Sequence, residues 1–209
     1  MSKTQGRVDP RVLRTRQLLR DAFITLVGQK RFEDITTQDI TEQATLNRAT
    51  FYLHYRDKND FLIRSMREVL AELEHNVEVP ATASKQLEVD AIIDPLIAVF
   101  DHFAQHAQFY YIMLCEVAAP PVINEVQRFI EGVALRWVAH LQPDPTHQLV
   151  DIGTVVKFVS TACIGLLRWW LENNMPYPAE QMAHQFLNLI SLGVFRSIGL
   201  EVPASIKNL

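Results

Sequence analysis

Residues 33–62 read EDITTQDITEQATLNRATFYLHYRDKNDFL, and this stretch decides the fold. It predicts a helix, a tight turn, a second short helix and the start of a longer one. Thr36 or Thr37 serves as N-cap for a helix from about Thr37 to Ala44. Asn47 caps the next, about Arg48 to Tyr55, and Asp57 caps a further one, about Lys58 to Val77. Each helical residue turns by about 100°. Phe51 and Tyr55 therefore lie about 40° apart and share a core face, with Ile40, Ala44 and Leu46 as apolar partners. Ala49 and Leu53 point away, flanked by Thr50 and Tyr52, with Asn47 and Arg48 at the N-terminal end.

That outward set suits a DNA groove. A reading helix in the major groove uses its N-terminal residues on base edges. Arg48 matches guanine O6 and N7, while Ala49, Leu53 or the Thr50 methyl matches a thymine methyl. Phosphate-binding groups surround it. Thr36 and Thr37 stand at one helix N-terminus and Lys58 at another, where free N–H groups and the helix dipole favour an anion. Tyr52 and His54 each carry a donor for a phosphate oxygen.

Upstream, Asp9-Pro10 opens a helix to about Val27, with a buried stripe of Leu19, Ala22, Phe23, Leu26 and Val27. Lys3, Arg7, Arg11, Arg14 and Arg16 form a basic arm that reads either as a contact to a neighbouring minor groove, Arg14 first among them, or as a solvated tail. Charge is divided along the chain. Residues 1–65 hold 12 Lys and Arg against 8 Asp and Glu, and the remainder hold 8 against 16, within a net charge of −4 over 209 residues. A basic module for a polyanion is thus joined to an acidic module with another task.

Residues 35–62 resemble the TetR family of one-component repressors through the ITTQDITEQA helix, the TLN turn, RATFYLHY, and RDKNDFL opening the next helix. The resemblance covers about residues 10–75 by motif and the rest by architecture. It implies backbone contacts for Thr36, Thr37, Tyr52, His54 and Lys58. It implies base-facing positions for Gln38, Asn47, Arg48, Ala49, Thr50 and Leu53. Thr45 departs from the pattern: the family usually has Gly there, and a β-branched residue tolerates the left-handed conformation poorly. The expected fold is all-α. A three-helix helix-turn-helix domain at 1–75 (motif about 35–55) precedes a larger helical effector-binding and dimerisation domain at 76–209.

In the second part, Asp94-Pro95 opens a helix ending near His106, followed by a short one at about 108–117. Ala119-Pro120-Pro121 breaks the chain before a helix to about Leu141, and further helices cover about 147–174 and 178–198. The polar stretch 78–90 marks the module boundary. By the resemblance, this module encloses a pocket for a small-molecule effector. Tyr110, Tyr111 and Trp137 suit its wall because each has a polar end, with Phe103, Met113, Cys115 and Phe129 as further candidates. The last two helices are apolar over more than half their girth, so each is buried on two sides, one of them against a second copy. Val159, Ala162, Leu166, Phe186, Leu189, Ile190 and Gly193 are the expected homodimer residues.

Enzyme chemistry finds no footing: there is no phosphate-cradling glycine loop, nucleophile elbow or paired zinc motif. His102 and His106 are spaced i, i+4 but have no third ligand, so no metal or cofactor is expected. Cys115 and Cys163 are far apart in apolar surroundings, which suits two buried thiols in a reducing compartment. The segment MSKTQGRVDPRVLRTRQ has no apolar leader core, and no run reaches the roughly 18 apolar residues of a membrane span. The expected setting is cytoplasmic. The partners are double-stranded DNA, a second copy and a small-molecule effector, with no membrane.

Overall fold

A computed structural model describes residues 9–74, 77 and 89–195. These form α-helices joined by short turns, with no strand among the described residues. The chain divides into two compact units, Met1–Met66 and Arg67–Leu209.

The first unit begins with α1 (Pro10–Val27). Asp9 accepts from the Arg11 N–H, and Pro10 occupies the first turn, where its missing donor costs nothing. The expected stripe is buried at Leu19, Ala22, Phe23 and Leu26, while Val27 is half-buried. Next come α2 (Thr37–Gln43), α3 (Arg48–His54) and α4 (Lys58–Glu74); α2 and α3 each end one residue before their sequence-based limits, and Val77, the expected limit of α4, is not helical. Phe23, Phe51, Tyr55 and Phe61 make the core, each at most 1% exposed. Their ring centroids are 5.0 Å apart for Tyr55–Phe61, 5.6 Å for Phe23–Phe61 and 5.8 Å for Phe51–Phe61. Each buried ring contributes roughly 2–3 kcal/mol, and edge-on pairing adds about 1 kcal/mol.

The division between units falls inside α4, ahead of the polar stretch 78–90, most of which lies outside the described residues. The second half of α4 has its partners downstream. Arg67 donates twice to the Glu125 carboxylate, at 2.9 and 2.7 Å, and Glu72 stands 3.5 Å from His106.

The second unit contains α5 (Val89–Gln105), α6 (Ala107–Tyr111), α7 (Pro120–Leu141), α8 (Ile152–Glu172) and α9 (Ala179–Ile190). A wide π turn at Ile112–Glu116 follows α6, and another at Ser191–Phe195 follows α9. α5 packs along α9 and α7 along α8. Phe100 is wedged between Trp170 and Phe186, at 5.6 and 6.4 Å.

Two starts differ from the sequence reading. α5 begins before Asp94-Pro95, so Pro95 lies inside the helix without an N–H to offer. Burial of Val99, Phe100 and Phe103 holds the helix through it. α8 begins at Ile152 because Asp151 caps it, accepting from Thr154, while Asp144 holds Pro145–His147 in a separate turn. The expected end of the last helix near residue 198 lies outside the described residues.

α8 is also long and apolar enough to cross a membrane, which the sequence reading did not anticipate for any segment. The cause is visible: Val155, Val156, Cys163, Ile164 and Leu167 are buried, while the outer side carries Phe158 and Trp169. Both faces are therefore apolar.

Candidate nucleic-acid interface

The α2–turn–α3 unit is assembled by local hydrogen bonds. Thr36 caps α2 reciprocally: its Oγ1 accepts from the Asp39 N–H at 3.1 Å, and Asp39 Oδ2 accepts from the Thr36 N–H at 2.7 Å. Lys30 pairs with the same carboxylate at 2.7 Å. That ammonium, then the Thr36 bonds, hold the Asp39 carboxyl well below the usual carboxylate range. At the far end of α2, Leu46 N–H donates to Thr41 O at 2.8 Å and Thr45 N–H to Glu42 O at 3.0 Å. This paired pattern requires a left-handed residue at Thr45, and its φ is 55°. The strain anticipated for a threonine in a glycine position is thus present. Asn47 then caps α3 by accepting from the Ala49 N–H at 2.8 Å.

This turn presents α3 outward. Phe51 and Tyr55 are core, as expected, whereas Leu53 is 81% exposed and Tyr52 47%. Asn47, Arg48 and Ala49 are exposed on the same helix, with Thr50 and His54 half-buried. On α2, Thr36 and Gln38 are exposed and Thr37 is half-buried. Arg48 Nη2 donates to Tyr52 Oη at 3.3 Å, and Thr37 Oγ1 is 3.3 Å from the same oxygen. The Arg48 guanidinium also lies 5.7 Å from the Tyr52 ring centre. The Thr37 hydroxyl, then Arg48, lower the Tyr52 phenol from its ordinary value. One expected phosphate group and one expected base-reading group are therefore pre-positioned together. Gln38 donates to Glu42 at 2.8 Å. Arg14 is exposed on α1, while Lys3 and Arg7 lie outside the described residues.

Lys58, expected at a phosphate, also has partners within the chain. Its Nζ donates to Phe32 O at 2.9 Å and Ile35 O at 2.8 Å, and sits 4.1 Å from the Phe32 ring centre. Burial lowers its pKa, partly offset by nearby acidic groups. The short turn Phe32–Asp34 brings those carbonyls together, so Lys58 staples α4 to the entrance of α2. One of its three protons remains for a phosphate. The staple joins residues 23 and 26 positions apart, beyond any local sequence signal.

The second unit holds a cavity of about 140 Å³. Of the candidates, Phe103, Phe129 and Trp137 line it. The other candidates do not. Tyr110 lies behind the wall, stacked on Phe103 at 3.8 Å, with its hydroxyl 3.1 Å from His102 Nε2. Tyr111 is exposed, and Met113 is fully buried in the core. Cys115 is half-buried beside Arg168 and Glu172, and burial raises its thiol to about 11. The brevity of α6 and the wide turn after it carry residues 111–116 away from the cavity. Sequence reading missed the aliphatic wall, including Val133, Ala134 and Val156. The only available signal was the i, i+4 spacing of apolar residues on α7.

The expected dimer residues separate by face. Val159, Phe186 and Ile190 turn inward to the cavity. Leu189 is 72% exposed, Gly193 is exposed, and Ala162 and Leu166 are half-buried. Phe158, at 59% exposed, and Trp169 share the outer side of α8 with Gly165. The expected set thus draws on both the inward and the outward faces of α8 and α9.

A family model described as "Transcriptional regulator C-terminal region" matches residues 90–192. The HTH-type transcriptional regulator YxbF of Bacillus subtilis (strain 168) is 26% identical over 199 residues. That match covers 93% of this chain and 49% of the relative, so the chain spans about half the relative's length. Among solved structures, a TetR transcriptional regulator from Streptococcus agalactiae 2603V has a TM-score of 0.60 at 19% identity, covering 87% of this chain and 96% of that one. The regulator FadR from Bacillus subtilis, in complex with stearoyl-CoA, has a TM-score of 0.62 at 15% identity, covering 85% and 98%.

Proposed function

We propose that the chain is a transcriptional regulator of the TetR type, a reading supported by the family model over residues 90–192 and by the regulators it is similar to, and that it is a cytoplasmic, effector-responsive homodimeric repressor of a near-palindromic operator. The observation that carries this reading is the exposed face of α3, where Asn47, Arg48, Ala49 and Leu53 stand clear of the core. Arg48 reads guanine, Leu53 or Ala49 meets a thymine methyl, and Thr36, Thr37, Tyr52 and His54 take phosphates. Gln38 and Thr50 border the base-facing set, and Arg14 reaches toward the minor groove.

Two such helices must sit about 34 Å apart to enter successive major grooves. The outer apolar face of α8 and α9 supports pairing: Phe158, Trp169 and Leu189 are exposed beside small residues Ala162, Gly165 and Gly193. Among the described residues, no atom of another part of the chain comes within 4 Å of a Cβ built on Gly165 or Gly193. A second copy covering this face forms a four-helix interface. An effector held in the cavity favours a different spacing of the reading helices. A shift of ~3 kcal/mol between the two states changes DNA affinity about 150-fold.

The test is to select genomic fragments on purified protein at physiological salt and sequence what is retained. The expected result is a recurring inverted repeat whose preference at one position per half-site relaxes in Arg48→Ala. Uniform recovery without a motif, or a motif unchanged in that variant, would sink the reading of α3.

A further inference from the structure

The effector reading leaves open what the cavity accepts, and its wall narrows the answer. Every lining side chain is hydrocarbon except two, Cys163 and Trp137. Burial pushes the Cys163 thiol up to about 12, so it stays neutral. His140 stands edge-on to Trp137 at 5.5 Å and does not line the cavity, and its Nδ1 is buried with no hydrogen-bond partner among the described residues. Glu131 and Lys157, on the helices that build the wall, are 3.0 Å apart and paired with each other. Among the described residues, no lining group carries a charge or offers a strong acceptor. An ionised ligand brought here loses its hydration and gains no partner. The volume sets the size. An apolar cavity of about 150 Å³ in another protein admits benzene, and this one is about 140 Å³.

We infer that the cavity takes a compact, uncharged hydrocarbon-like molecule of about benzene to xylene size, excluding carboxylates, ammonium compounds and acyl thioesters. The stearoyl-CoA bound by the Bacillus subtilis FadR is far larger and highly charged. This inference rests on the effector reading only for its regulatory meaning; the binding itself follows from the wall.

The test uses the full chain with toluene and its charged isosteres, benzoate and benzylamine, followed by calorimetry and by retention of the selected DNA. Toluene is expected to saturate one site per chain, with both isosteres at least about 100-fold weaker. Ala134→Leu fills the space and should weaken toluene at least about tenfold. Phe129→Ala enlarges it and should shift preference from toluene to naphthalene, which keeps the inference testable if the first variant does not fold. Benzoate or decanoyl-CoA binding as tightly as toluene would overturn the inference, as would toluene binding unchanged in both variants. Decanoyl-CoA releasing DNA while toluene neither binds nor releases it would overturn the ligand class and leave the effector reading standing. Toluene binding with the expected variant pattern but no change in DNA retention would support the ligand class and remove the effector reading.

Discussion

The outer face of α3 and the wall of the cavity are opposites built from the same helical geometry. On α3, polar side chains are exposed and held by bonds within one turn, Asn47 with Ala49 and Arg48 with Tyr52, and by one bond to α2, Tyr52 with Thr37. Around the cavity, helices distant in sequence turn apolar groups toward the enclosed space. The difference teaches where function is written. A DNA-reading surface needs specific donors at fixed helical spacing, so its residues are chemically conspicuous. An apolar cavity needs only a shape, and many aliphatic residues supply one.

The largest effect probes whether the reading surface depends on its core. Phe51→Ala should destabilise the first unit by about 3–5 kcal/mol and abolish DNA binding at 37 °C, measured by urea unfolding and fragment retention. Retained binding with normal cooperativity would mean that the exposed face organises itself.

Next comes the contrast between a staple and a reader. Lys58→Met should lose about 2 kcal/mol of stability, because two backbone carbonyls lose a charged donor. If the remaining proton meets a phosphate, the slope of log affinity against log salt should fall by about 0.9. Arg48→Ala should leave stability unchanged and cost about 1–3 kcal/mol at one base pair per half-site. Equal behaviour of the two variants would erase the distinction.

The second unit has its own polar exception, which acid should expose. His102 is buried, and this burial, with His106 close by, lowers its pKa to about 4 from 6.5. The unfolded chain therefore binds the proton first as pH falls. Stability contributed by neutral His102 is complete above about pH 6.5 and is lost progressively toward about pH 4. Thermal melts of His102→Gln should be flatter across that window than those of the parent; a parallel pair of curves would remove His102 as the cause.

The smallest effect has the opposite sign. Thr45→Gly relieves a left-handed β-branched residue and should stabilise the first unit by about 1 kcal/mol. A loss of stability would show that the Thr45 side chain contributes contacts worth more than the strain.

Much of the first unit was legible because its determinants are local. Asp9-Pro10, Thr36, Asn47 and Asp57 announce helix starts through bonds made within three residues. Phe51 and Tyr55 declare the core by their four-residue spacing. The anchoring of Lys58 was not legible because its partners, Phe32 and Ile35, come from a preceding turn. In the second unit, Tyr110 and Tyr111 seemed suited to a pocket by chemistry, but α6 is one short segment ending in a wide turn. Their orientation depends on that irregularity, which has no composition signal.

The sequence by itself determined an all-helical chain, a helix-turn-helix with Arg48 and Leu53 outward, and two terminal helices apolar on both sides. These follow from helical periodicity and capping, which act over a few residues. Only the tertiary structure decided that Val159, Phe186 and Ile190 face the cavity while Phe158 and Leu189 face out. It likewise anchored Lys58 on backbone carbonyls and drew the cavity wall from hydrocarbon groups. The physical reason is shared: hydrophobic burial is non-directional, so an apolar stripe records that a face is covered and not what covers it.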